Sequence, residues 1–254
     1  MTPRPRRDQE RTGGGDGTGR SGAGPGREVW AARLLTFSAG AVNALGFLAL
    51  GGVFTSVVTA NSALVGIGVG HADAAPAALA GLAVLGYVLG AASGGWAAAR
   101  VRRARRAAAA DFLLLELLLL WAVAAWWLRL DGHPGGWVRT TLLVLLSAAM
   151  GCQNAGVLVA LGARAPTAYL TGLLTHAVTD AVTEGRLRWR APATVGLLVA
   201  GAAGLALLER WLHGVAAVAP AVLVTGAWLL WRTDGGAPHG PAFGRAGRER
   251  GTAG

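Results

Sequence analysis

The sequence has no lysine, a single cysteine and few charges of either sign. Its 23 basic residues are all arginine, set against 13 acidic ones, and charged residues make up 14% of the 254 positions. An average soluble domain carries roughly 25%. The lone Cys152 rules out an intramolecular disulfide and reads as a small buried apolar residue. No cysteine and histidine group has zinc-ligand spacing, so no metal is expected. Also missing are His-Glu-x-x-His, Gly-x-Ser-x-Gly, paired acids deep in an apolar run and any nucleotide-binding loop. Neither an enzyme nor an ATP-hydrolysing pump is expected, and no cofactor is implied. Residues 1–28 contain no apolar stretch, and Arg6-Arg7 runs into Asp8-Gln9-Glu10. A cleavable or twin-arginine signal is therefore not expected, and the first apolar segment serves as its own insertion signal.

What is present is apolar sequence: hydrophobic residues make up 53% of the chain, in long blocks. A formal charge of +10 would suit nucleic acid if the arginines formed one face. They cluster instead at 4–33, 100–106, 186–190 and 232–250, flanking the apolar blocks where topology-setting charges belong. The expected partner is the lipid bilayer, with no nucleic acid. Six segments can cross about 30 Å of hydrocarbon: 30–50, 76–99, 112–130, 139–161, 191–210 and 215–232. The membrane domain is read as 29–232. The tails at 1–28 and 233–254, rich in Gly, Arg and Pro, are expected to be disordered.

The chain also repeats itself. Gly40-Ala41-Val42-Asn43-Ala44, Ala49-Leu50-Gly51 and Thr59-Ala60 recur as Gly151-Cys152-Gln153-Asn154-Ala155, Ala160-Leu161-Gly162 and Thr171-Gly172. The offset is 111 at the Asn and 112 at the Thr, while Gly86, Gly90 and Gly94 align with Gly196, Ala200 and Gly204 at 110. The two units are 29–130 and 138–232. Each carries a short extra apolar stretch, 53–70 and 166–182, that follows helix-breaking Gly51-Gly52 or Gly162 and Pro166. If neither stretch crosses fully, all four arginine clusters fall on the cytoplasmic side. Three spans per unit then insert the second copy upside down. The expected fold class is thus all-α: a polytopic membrane protein with about six transmembrane helices, arranged as two inverted three-helix repeats with re-entrant or broken segments.

At Ala39-Gly40-Ala41-Val42-Asn43-Ala44-Leu45-Gly46-Phe47-Leu48-Ala49-Leu50-Gly51-Gly52, Thr59-Ala60-Asn61, Met150-Gly151-Cys152-Gln153-Asn154-Ala155 and Tyr169-Leu170-Thr171-Gly172, the chain resembles the YoaK family of bacterial integral membrane proteins, a domain of unknown function. The resemblance covers roughly residues 33–232. It implies a multi-pass protein of the bacterial cytoplasmic membrane, and the arginine clusters put both termini inside. It implies no substrate. The family typically has Asp where this chain has Asn43, Gly where it has Ala60, and basic residues where it has Val157 to Val159.

Inverted symmetry would bring Asn43 and Asn154 near one axis. With Thr59, Asn61 and Thr171 in the broken segments, they make the candidate substrate site of a small-solute permease. The same residues also serve as interhelical hydrogen-bond glue or helix caps. Gln153 points to a different face and has a weaker claim. His176 and Asp180, one turn apart, are a candidate proton-responsive pair or two hydrated groups at a helix end. Glu116 lies near enough to an end of its span to reach the interface or pair with Arg105 or Arg106. Gly86, Gly90 and Gly94 form one close-packing face, within the chain or in a homo-oligomer. The alternative to a permease is a non-transporting structural or regulatory protein that acts through a partner. The two differ in whether the repeated polar groups face a wet cavity or are fully paired.

Overall fold

The computed structural model describes residues 26–103, 113–161, 170–185 and 189–233. Nearly all of both tails, Arg105 and Arg106 of the second arginine cluster, residues 186–188 and the start of the 166–182 stretch lie outside them. Among the described residues all regular structure is helical. Eight α-helices follow in order: α1 (Arg27–Ala49), α2 (Val58–Gly70), α3 (Ala74–Arg103), α4 (Leu113–Arg129), α5 (Gly136–Leu161), α6 (Leu170–Glu184), α7 (Arg190–Leu212) and α8 (Val218–Thr233). A 3₁₀ turn at His213–Val215 joins the last two. Stretches within α1, α3, α5 and α7 are long and apolar enough to cross a membrane, and α2 and α8 are shorter apolar helices. By that composition this is a membrane protein.

The helices form where apolar runs lack breakers, and two of them stop at glycines able to take left-handed backbone. Gly51 (φ 115°) and Gly52 (φ 76°) end α1, and Gly132 (φ 77°) turns the chain between α4 and α5. A Cβ at Gly132 would also meet the His213 carbonyl oxygen at 2.7 Å, so this turn packs tightly on the 3₁₀ turn. Trp127 Nε1 donates to that same oxygen at 2.6 Å, and the His133 and His213 rings meet edge to face at 4.5 Å.

Packing exchanges helices between the two halves. The broadest contact joins α3 to α5 and the next joins α1 to α7; α1 also packs on α8, and α5 on α4. α2 lies on α3 and α6 on α7. Each of these pairs has its counterpart in the other half. Two groups result, α1 with α7 and α8, and α5 with α3 and α4, which meet along a seam of α4 against α8 and α1 against α5.

Glycine permits the two closest crossings. A Cβ at Gly40 would overlap the Leu198 carbonyl oxygen, and one at Gly201 would overlap that of Phe37. Likewise, a Cβ at Gly90 would overlap the Ala148 carbonyl oxygen, and one at Gly151 that of Tyr87. Gly40 and Gly151 are 111 positions apart, as are Gly90 and Gly201. This corrects the alignment of Gly90 with Ala200 at an offset of 110. Gly196 has open space around it and Gly204 touches only the Phe37 ring, whereas Gly86, Gly90 and Gly94 all face the α5 backbone. The glycine spacing suggests one register, and backbone contact selects the neighbouring one.

Helix ends also meet in a defined way. At the close of α1, a Cβ on Gly51 would overlap Leu79 Cδ2 near the start of α3 and lie 4.0 Å from Arg139 Cζ near the start of α5.

Candidate functional site

Asn43 sits six residues before the end of α1 and is buried. Its Nδ2 donates to the Ala39 carbonyl at 2.9 Å and to Ser56 Oγ at 2.7 Å. Its Oδ1 accepts from Thr55 N (3.1 Å), Thr55 Oγ1 (3.1 Å) and Ser56 N (3.0 Å). Asn61, in the first turn of α2, reads the same loop from the other side: Nδ2 donates to the Phe54 carbonyl at 2.5 Å and Oδ1 accepts from Phe54 N at 3.1 Å. Phe54 stacks on Phe47 with ring centroids 5.0 Å apart. Non-helical backbone inside an apolar bundle needs every N–H and C=O paired. The two asparagines supply such partners and hold residues 53–57 folded back along α1.

The second copy is wired differently. Asn154 Nδ2 donates to Tyr87 Oη on α3 at 3.1 Å, and its buried Oδ1 has no partner. Gln153 is fully buried. Its Nε2 donates across to the Leu35 carbonyl on α1 at 3.1 Å, while Oε1 is unpaired. Gln153 does point to a different face from Asn154, and that face carries the polar bridge between α1 and α5. Where the first copy has Asn61, the second has the apolar Leu173 at the offset of 112, so that bracket is lost.

The five residues read from the sequence as one substrate site are not brought together. Asn43 and Asn61 share the 53–57 loop, and Asn154 belongs to the α3–α5 contact. Thr59 and Thr171 are exposed on α2 and α6. The reason is local: each Thr lies just inside the start of its helix, on a face that leaves the bundle. His176 is exposed on α6 and Asp180 is half-buried one turn later. Two open depressions, about 500 Å³ between α3 and α4 near Trp96 and Leu115 and about 310 Å³ at the α2–α3 turn, contain none of the candidates. No group of three or more metal-ligating side chains occurs among the described residues.

Sequence reasoning weighed Gln153 and Glu116 singly and missed the other members of a second polar set. Ser38 Oγ on α1, Glu116 Oε2 on α4, Ser147 Oγ and Gln153 Oε1 on α5 and Trp228 Nε1 on α8 are all buried without a hydrogen-bond partner. Glu116, in the first turn of α4, is 1% exposed, and the Arg105 and Arg106 expected beside it lie outside the described residues. The available signal was one acid set in Leu113-Leu114-Leu115-Glu116-Leu117-Leu118-Leu119-Leu120, since an ionisable residue within a span is a functional candidate by default.

A family model described as "Protein of unknown function (DUF1275)" matches residues 31–230. The chain belongs to this family. No curated protein and no solved structure matches it. The DUF1275 match runs from within α1 to within α8, so it takes in every candidate residue named above and both copies of the repeat. The polar seam of this DUF1275 protein is thus part of its family domain, whereas the arginine-rich tails lie almost wholly beyond it.

Proposed function

We propose that this DUF1275 protein is a permease for a small solute, with six crossing helices in two inverted three-helix repeats and with α2 and α6 as re-entrant half-helices. The observation that carries this is the meeting of the end of α1 with the starts of α3 and α5 at Gly51, Leu79 and Arg139. A chain that leaves α1 and begins α3 at the same place has not crossed the membrane in between. The α2 helix, about 20 Å long for its 13 residues, therefore dips in and returns. The Gln153–Leu35 bond supports inversion as well. If α1 and α5 ran parallel, with equivalent residues level, Leu35 would face Leu146, two turns and about 10 Å from Gln153.

In this reading the two interlocked groups rock against each other along the α1/α5 and α4/α8 seam, as inverted-repeat carriers do. Asn43 and Asn61 brace the re-entrant loop, and the solute passes at the seam. The protein lies in the bacterial cytoplasmic membrane with both termini inside, acts without an enzymatic step, and takes a solute of low charge. A second reading, a non-transporting protein that works through a partner, draws on the complete pairing of Asn43 and Asn61.

Topology is tested in a Cys152→Ser background with single cysteines at Val29, His71, Trp137 and Trp189, labelled from each face by an impermeant thiol reagent. Val29 and Trp189 label from the cytoplasmic face, and His71 and Trp137 from the other. Labelling of Val29 and His71 from the same face would mean that α2 crosses and would end the inverted-repeat reading.

A further inference from the structure

Glu116 is the most buried acid among the described residues, and its helix is one of those along which the two helix groups meet. It lies on α4, which packs on both α5 and α8. Three neighbouring features fix its surroundings. Cys152, on the facing helix α5, is fully buried. The next residue, Gln153, reaches Leu35 on α1, one turn before the fully buried Ser38. On the other flank, Trp121 Nε1 donates to Thr225 Oγ1 at 3.2 Å, which sets α8 against α4 one turn before Trp228. Glu116 Oε2, Ser38 Oγ, Gln153 Oε1 and Trp228 Nε1 lie on the four mutually packed helices α4, α1, α5 and α8, and all lack partners.

A buried carboxylate with an unpaired oxygen in such a place is costly unless it carries a proton or a cation. A dehydrated Ca²⁺ or Mg²⁺ ion needs about six or more oxygen ligands, and one carboxylate with an amide and a hydroxyl oxygen falls short. A proton needs only the carboxyl. Of the charged and titratable groups described on the packed elements, Cys152 is neutral or like-charged, Arg27 and Glu28 stand in the first turn of α1, Arg33 rests on the Trp30 ring at 4.7 Å, and Arg129, Arg139 and His213 lie at the opposite end of the bundle. Arg232 and Arg100 rest on the Trp228 and Trp96 rings at 4.7 and 3.9 Å.

We propose that Glu116 is a proton-binding residue that holds one exchangeable proton in the α1/α4/α5/α8 core and releases it when the seam opens to water. This deepens the permease reading by naming its coupling ion, and it rests on that reading for the opening step. The seam gives the proton its exit because Gln153, Ser38 and Trp228 supply unpaired polar atoms between the two groups and no fixed charge.

Dicyclohexylcarbodiimide, an apolar reagent that modifies protonated carboxyls within membranes, tests this on the full chain in lipid vesicles, with the adduct located by peptide mass spectrometry. Cys152→Ser removes the competing thiol. The expected result is an adduct on Glu116 that falls by about tenfold per pH unit above its midpoint and is absent in Glu116→Gln. No adduct on Glu116 would overturn the proposal and point to an ion pair, as with Arg105 or Arg106. A pH-independent adduct would also overturn it, by showing a sealed structural acid. The wild-type map decides the matter even if Glu116→Gln fails to fold. Failure here with Val29 and His71 on opposite faces leaves the inverted repeat standing, and an adduct with both on one face retains the proton site alone.

Discussion

Gly90→Ala is the sharpest probe of how this bundle is held. A Cβ there would overlap the carbonyl oxygen of Ala148, a backbone atom that no rotamer change can move. The α3 and α5 helices must therefore separate along a contact that includes Gly86, Gly94 and Gly151. Overpacking of this kind costs ~1–3 kcal/mol, and exchanging Gly for Ala within a helix returns ~1 kcal/mol. The net loss is about 0–2 kcal/mol, with the helix-propensity gain removed from the overpacking cost. Gly201→Ala should lose a similar amount, because its Cβ would overlap the Phe37 carbonyl at the equivalent crossing. Gly196→Ala is the control: nothing lies within 4 Å, so only the propensity gain remains. Thermal unfolding of purified protein in one detergent, followed by size-exclusion fluorescence, ranks the three. Gly90→Ala with Gly151→Ala, which strain one crossing together, should be non-additive, while Gly90→Ala with Gly201→Ala should add. Equal melting of Gly90→Ala and Gly196→Ala would refute the close crossing and the 111-residue register with it.

Asn43→Ala strands the Thr55 and Ser56 amides and should cost about 2–6 kcal/mol, at ~1–3 kcal/mol for each buried orphan. Asn43→Asp keeps the acceptor for both amides and lets Ser56 donate, so it should melt clearly above Asn43→Ala; the reverse order would mean that the loop is not held by the Oδ1 contacts. Trp127→Phe removes the bond to the His213 carbonyl and should lower stability by about 1–2 kcal/mol. The loss should appear as faster proteolysis at the 213–217 turn, and an unchanged cleavage rate would show that the turn is held by other contacts.

Six apolar segments were legible because a continuous hydrophobic run states its own length, and α1, α3, α4, α5, α7 and α8 begin and end within a few residues of them. The helical parts of the two shorter stretches, α2 and α6, follow the breakers Gly51-Gly52 and Pro166 for the same local reason. What Asn43 does was not legible, because its partners lie 12 and 13 residues onward in a loop whose fold-back is a tertiary event. The sequence weighed Glu116 only by its distance from a span's end, because its burial among neighbouring helices is invisible in α4 alone. Gln153 shows the limit most plainly. Its neighbour Asn154 carries the repeat signature, yet the bridge to α1 comes from the residue without one.

The exchange of helices between halves bears on how the protein is made. Ribosomes deliver α1 while its main partner, α7, is still more than a hundred residues from synthesis. At about 5–20 residues per second, α1 waits many seconds with Gly40 and its neighbours uncovered in lipid or in the insertion machinery. Neither half has a finished interior until the other arrives. A chain stopped after α4 is therefore half of two bundles and the whole of none, open to any surface that resembles its missing complement, and the surface most like it is another copy of itself.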